Sequence, residues 1–234
     1  MADVSTTSTP GLDSTVSQWV VQAPARSRIF EKRGIDYCCG GQATLRQACA
    51  KHQLNLEALV AELLATAPEA TQRDWSTASL TELANHIEST HHAYLKDELP
   101  RLARLVHRTY TAHGLHYRWL PELKTTFDRF AAEMDAHMLK EEHILFPLIR
   151  RIDAGARGAA VSAPVAVMEQ EHERAGAALE HMRRLSNNYT APEGACNTFR
   201  AMLDGLRELE ADTHIHVFKE NSILFPKAIA AAEV

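Results

Sequence analysis

His137 and Glu141 stand four residues apart, and so do His216 and Glu220. On a helix that spacing puts an imidazole and a carboxylate on one face, one turn apart. Such a pair can ligate one metal ion, or two neighbouring ones. Both pairs belong to a longer duplication. His137-Met138-Leu139-Lys140-Glu141-Glu142-His143-Ile144-Leu145-Phe146-Pro147 aligns at one offset with His216-Val217-Phe218-Lys219-Glu220-Asn221-Ser222-Ile223-Leu224-Phe225-Pro226, and His, Lys, Glu, Ile, Leu, Phe and Pro are shared. A repeat of that fidelity is unlike chance similarity and implies two equivalent half-structures. Burying two charged pairs without compensation is costly, so the repeat favours ligation over packing for these four residues.

The elements that must position them read as helices. Residues 1–12 form a polar tail, 13–67 a small helical unit, 68–78 a linker, and 79–234 a bundle. In the bundle, Ser79-Leu80-Thr81-Glu82 is a capping box. Leu80, Leu83, Ile87, Leu95, Leu99, Leu102 and Val106 then recur at threes and fours, with one gap in the stripe that falls at His91 or His92, and the helix ends near Gly114. A second helix spans about Pro121 to Ile152 and carries the first copy of the repeat. Gly155 and Gly158 interrupt the chain. A third spans about Pro164 to Asn187, with Val167, Met168, His172, Ala175, Leu179 and Met182 on one side. A fourth, from about Glu193 to Ala230, carries the second copy. Four long helices with short connections imply an all-α, antiparallel up-down four-helix bundle.

The bundle gives the repeat a partner in each half. His92 precedes His137 by nearly the same interval as His172 precedes His216. Periodicity alone does not separate His91 from His92, and the matching interval favours His92. Four imidazoles and two carboxylates suit two iron ions, with manganese a less specific fit. Glu141 and Glu220 are placed to bridge, together with an oxo or hydroxo group, leaving an open position on each metal. Glu133 and Asp212 lie one turn before His137 and His216, and Glu171 adjoins His172. Two readings of these three acids stand open: partners that orient ligands or pass protons and metal, or exposed helix charges. The remaining histidines read as surface or flanking residues.

The small unit centres on Arg33-Gly34-Ile35-Asp36-Tyr37-Cys38-Cys39-Gly40-Gly41. Glycines at both ends mark a turn that exposes its centre. Two readings of Cys38 and Cys39 stand open: small turn residues, one of them buried, or functional thiols at an exposed turn, able to donate electrons, bind metal or form mixed disulfides. Adjacent cysteines make a poor structural disulfide, so they are expected free and the chain is expected in a reducing, cytoplasmic setting. Cys49 and Cys196 read as packing residues within helices. About fifty residues in short helices bury little surface, so this unit is expected to lean on something else.

Composition bounds the rest. The chain has 234 residues, 45% of them hydrophobic, a net charge of −5 and 13 histidines. Nothing there suggests a nucleic-acid or anionic-membrane partner. No stretch has the length and apolarity of a membrane span.

The paired His-x-x-x-Glu motifs with Ile-Leu-Phe-Pro resemble a hemerythrin-like domain. The segment Arg28-Ile29-Phe30-Glu31-Lys32-Arg33-Gly34-Ile35-Asp36-Tyr37-Cys38-Cys39-Gly40-Gly41 resembles the short ScdA-type domain in front of it in the bacterial RIC (repair of iron centres) family. The resemblance covers nearly the whole chain after the tail. It implies a non-haem di-iron protein that responds to nitrosative and oxidative stress and helps restore damaged iron–sulfur proteins. It also implies reaction with nitric oxide, including reduction to nitrous oxide, and an electron donor that the sequence does not name. By motif position the ligands are His92, His137, Glu141, His172, His216 and Glu220, which selects His92 over His91, and the family's thiol pair maps onto Cys38 and Cys39. Oxygen-carrying hemerythrins have more histidines and a less symmetric set. The two equivalent pairs here suit chemistry on a small oxidant better than oxygen storage. An oxygen or nitric oxide sensor is the alternative, and it would need an output partner.

Overall fold

The computed structural model describes residues 10–66, 74–156 and 160–233. Most of the expected tail, the first part of the expected linker and Gly158 lie outside them. The described residues are helical, and the only pairing of extended backbone among them is an isolated bridge between Thr15 and Thr44. The chain divides into two units, one of residues 1–78 with 218–226, the other of residues 79–217 with 227–234.

In the first unit α1 (Val16–Gln22), α2 (Ser27–Lys32), α3 (Leu45–His52) and α4 (Leu56–Leu64) are all short. Such helices are marginal alone and need caps and burial. Thr15 and Thr44 each start a helix with a full capping box, closed by Gln18 and Gln47. The bridge sets the two caps side by side, with Val16 N–H donating to Ala43 O and Leu45 N–H to Ser14 O. Val16, Trp19, Val20, Phe30, Tyr37, Leu45, Leu59 and Leu63 are buried. Arg26 is buried too. It donates to the carbonyls of Leu63 and Trp19 and lies over the Trp19 indole, 5.0 Å from the ring centre. Phe218, Ile223, Leu224 and Phe225 of the same unit are also buried. The support that the N-terminal helices were expected to need therefore includes a segment from the far end of the chain.

The second unit is the antiparallel bundle. Its first rod is α5 (Leu80–Ile87) and α6 (Ala93–His113), its second α7 (Leu120–Lys140) and α8 (Phe146–Asp153). The third is α9 (Ser162–Leu185), and the fourth is α10 (Asn197–Lys219), continued beyond residue 224 by α11 (Phe225–Ala232). The expected capping box of α5 is present, Ser79 with Glu82. Helix α7 packs between α6 and α9, and α5 packs on α8. Leu95, Leu99, Leu102, Phe127, Phe130, Leu179, Met202 and Leu206 share the core. At Gly205 α10 comes so close to α6 that an added Cβ would stand 2.7 Å from Leu102 Cδ2. Helix α10 begins at Asn197 rather than near Glu193, so Cys196 precedes it. Cys196 is exposed, with its sulfur 3.5 Å from His113 Nε2, and is not a packing residue; Cys49 is buried in α3 as expected.

Among the described residues, three rods contain one π-helical turn each: Glu88–His92, Glu141–Leu145 and Glu220–Leu224. In the two repeats the amide of Phe146 donates to Glu141 O, and that of Phe225 to Glu220 O, five residues back. A π turn inserts one residue and rotates everything after it, and such turns gather at functional sites. Pro147 and Pro226 follow directly. Lacking an N–H, proline fits where the hydrogen-bond register changes. The Phe-Pro end of the repeat is thus the exit from a π turn.

Candidate metal centre

Each π turn presents a residue singled out by the sequence: His92 closes the first, Glu141 opens the second and Glu220 opens the third. His92, His137, Glu141, His172, His216 and Glu220 are all 1% exposed or less. Their donor atoms fall into two groups, His92, Glu141, His216 and Glu220, and His137, Glu141, His172 and Glu220. Within each group the atoms lie within 4.8 Å of one another. The Nε2 atoms of His92 and His216 are 3.2 Å apart, and those of His137 and His172 are 3.1 Å apart. Glu141 Oε2 is 3.2 Å from His92 Nε2 and 3.3 Å from His137 Nε2.

Behind two of the histidines stand carboxylates fixed by lysines. His92 Nδ1 is 2.8 Å from Glu142 Oε1, and Lys96 Nζ donates to the same carboxylate at 2.7 Å. His137 Nδ1 is 3.0 Å from Glu171 Oε2, and Lys140 Nζ donates to that carboxylate. An acid on Nδ1 fixes the ring tautomer and aims Nε2 at the group it binds. Burial pushes the Glu142 carboxyl up, but hydrogen bonds from Lys96 and His92 outweigh it and hold the group below its ordinary range. Burial likewise raises Glu171, and Lys140 with His137 more than offsets it.

The other two acids singled out by the sequence sit differently. Asp212 Oδ1 is 2.9 Å from His91 Nδ1, and the buried His91 ring stacks on His216, centroids 5.4 Å apart and planes parallel within 1°. Asp212 is therefore set against His91 in the position that Glu142 holds against His92. Glu133 pairs loosely with Arg129 at 3.9 Å on the surface and shares a cleft with His137, Lys140, Glu171 and Arg174. Nothing in the sequence pattern singles out Glu142, and His91 enters there only as the alternative to His92. The one signal for Glu142 is its place beside the shared glutamate, where the copies differ.

The turn in the small unit departs from expectation. It buries one of its two thiols: Cys38 is 5% exposed, whereas Cys39 is partly open and Asp36 and Gly40 are exposed. The reason lies in Asp36. Its Oδ1 accepts from the amides of Cys38 and Cys39, and its Oδ2 from that of Gly40, folding the chain back over its own carboxylate. At Gly41 an added Cβ would meet Tyr37 O at 2.3 Å, so the turn requires glycine there. Cys38 Sγ is 3.6 Å from Cys39 Sγ and 3.2 Å from Asp36 Oδ1. The hydrogen bond with Cys39, burial and the charge of Asp36 push the Cys38 thiol well above its ordinary value.

An all-α bundle with a buried cluster of imidazoles and carboxylates from four rods defines a class of metal-binding proteins. Residues 83–228 match the hemerythrin HHE cation binding domain, and residues 12–67 match the ScdA_N domain of unknown function. The chain is 36% identical over 218 residues to the iron-sulfur cluster repair protein YtfE of Citrobacter koseri and to that of Escherichia coli O157:H7, and 35% identical to that of Shigella boydii serotype 4. Each match covers 93% of this chain and 97% of the relative. The chain belongs to the RIC, or repair of iron centres, family. No helix among the described residues is long and apolar enough to cross a membrane.

Proposed function

We propose that the protein is a non-haem di-iron protein that repairs iron–sulfur clusters damaged by nitrosative or oxidative stress. One observation carries the di-iron reading: the two donor groups differ in their histidines and share both carboxylates. His92 and His216 would hold one iron, His137 and His172 the other, and Glu141 and Glu220 would bridge them. The donor set fits: it is oxygen and imidazole nitrogen without thiolate, which suits iron or manganese and disfavours zinc–thiolate and iron–sulfur ligation. The names of the relatives, iron-sulfur cluster repair protein, support the repair reading and make damaged iron–sulfur proteins its partners.

A pair of bound irons with an oxo or hydroxo bridge would supply redox chemistry and open positions for nitric oxide or oxygen. The chain's own contribution is positional. Glu142 and Glu171 fix the tautomers of His92 and His137, Lys96 and Lys140 keep those acids ionised, and His91 holds the plane of His216. Burial of all six ligands keeps bulk water from competing for them.

Repair would proceed by donating iron as cargo, by removing nitric oxide, or by both. Metal analysis of purified protein should find two irons per chain, and the protein should reactivate a nitric oxide-damaged iron–sulfur enzyme. A protein isolated without iron that also fails to take it up would overturn the reading. Reduced protein given many equivalents of nitric oxide separates the two routes. Sustained nitrous oxide indicates reduction; its absence leaves iron donation.

A further inference from the structure

We propose that Asp36, Cys38 and Cys39 form a second metal site, which takes one thiophilic divalent cation of the zinc or ferrous class. It is distinct in chemistry from the histidine–carboxylate centre and stands whether or not the repair reading does.

The sulfur spacing is the first argument. A metal–thiolate bond of about 2.3 Å in tetrahedral geometry separates two ligating sulfurs by about 3.8 Å. The Cys38 and Cys39 sulfurs are 3.6 Å apart. A disulfide would need them at about 2.05 Å, strained across a single peptide bond. The turn thus holds the pair at the bite of a chelate.

The carboxylate is the second. Asp36 Oδ1 stands 3.2 Å from Cys38 Sγ, so oxygen and sulfur donors converge on one side of the turn. Three backbone amides fix the carboxylate, and no basic side chain pairs with it among the described residues. Gly40 leaves the carboxylate room, since a Cβ there would lie 3.1 Å from Asp36 Oδ2. Two thiolates and one carboxylate make an incomplete tetrahedron. Structural zinc sites are closed by four protein ligands, whereas three leave a position for water or an incoming ligand. Metals bind cysteine as the thiolate, so affinity for such a site rises with pH.

Cadmium(II) is the probe, because its thiolate charge-transfer band is blind to histidine and carboxylate ligation. The titration uses the full-length, iron-loaded protein carrying Cys49→Ala and Cys196→Ser, which leaves Cys38 and Cys39 as its thiols. The band should saturate at one cadmium per chain, and zinc(II) or iron(II) should compete it away. Adding Cys38→Ser and Cys39→Ser should abolish it. Cys39→Ser alone, at the partly open position, should weaken binding at least about tenfold, as should Asp36→Asn, which keeps one oxygen for the amides of Cys38 and Cys39 and loses both the charge and the acceptor of the Gly40 amide. Helical circular dichroism and the iron content of each variant separate loss of this site from loss of the fold or of the bundle centre. No band in the Cys49→Ala/Cys196→Ser protein, or a band that survives loss of both turn thiols, would overturn the site.

Discussion

The two copies of the repeat keep the His and Glu of the donor groups and spend the other positions differently. In the first copy, Glu142 meets His92 and Lys140 meets Glu171. At the same places in the second copy, Asn221 Nδ2 donates to Cys38 O at 3.5 Å and the Lys219 ammonium lies 5.7 Å from the centre of the Trp75 ring. The apolar positions divide the same way. Leu139 and Ile144 are 53% and 60% exposed, while their counterparts Phe218 and Ile223 are 5% and 7% exposed. Phe218 meets Tyr37 edge-on, centroids 5.7 Å apart. A duplicated segment thus holds two histidines in its first copy and the thiol turn in its second. The shared residues mark the common task and the differing ones the separate tasks.

The largest effect should fall where the copies agree. Glu141→Ala and Glu220→Ala should each lower bound iron from two per chain to below one, because each carboxylate belongs to both donor groups. Elemental analysis of the purified variants checks this. A variant that keeps both irons would remove that residue from the bridge.

A large divergence is expected in stability. Phe218→Ala removes a buried ring and should cost about 3–5 kcal/mol. Leu139→Ala, at the matching exposed position, should change stability by less than about 0.5 kcal/mol. Denaturant titration of both in a Trp119→Phe background, monitored by the fluorescence of Trp19 and Trp75 as well as by helicity, would show whether the loss begins in the unit that holds Tyr37.

The next contrast concerns ligand support. Glu142→Ala takes away the acceptor on His92 Nδ1 and should weaken iron retention about 10- to 100-fold under a chelator challenge. Asn221→Ala should leave iron retention unchanged and instead speed alkylation of the Cys38-Cys39 turn. Equal iron loss from both variants would erase the proposed division of tasks.

Much of this was legible in the residues and some was not. Amphipathic spacing and the Ser79 box gave the bundle, because burial and capping are local demands. Repetition singled out the two His-Glu pairs, since chance does not repeat a buried charge. Glu142 escaped because it is one of two adjacent acids, and only the partner across the bundle tells them apart. The π turns escaped for a related reason: nothing in Glu141-Glu142-His143-Ile144-Leu145 demands an extra residue per turn, and only the paired burial of Leu145 and Phe146 hints at it. The glycines predict the turn at Cys38 and leave its burial open. Its glycines permit the bend, whereas the carboxylate of Asp36 decides which way it closes.

The smallest expected difference lies between the two lysines, and acid separates them. Lys219→Ala forfeits a cation–π contact worth about 0.5–1 kcal/mol. Lys140→Ala forfeits a half-exposed ion pair worth about 0–1 kcal/mol. Glu171 is held below the ordinary carboxylate range with the help of Lys140. A lowered folded value contributes stability above the unfolded value and loses it as pH falls through the folded one. Without Lys140 the folded value moves back toward the ordinary range. The Lys140→Ala protein therefore has less to lose, and its deficit at neutral pH should shrink to nothing once Glu171 is protonated in both proteins. Trp75 does not titrate, so the cation–π part of the Lys219→Ala deficit should persist across the same range. Denaturation of the metal-depleted proteins, from neutral pH down through the carboxylate range, reads both curves. Parallel curves would mean that the two lysines do the same work and that the copies differ less than their contacts suggest.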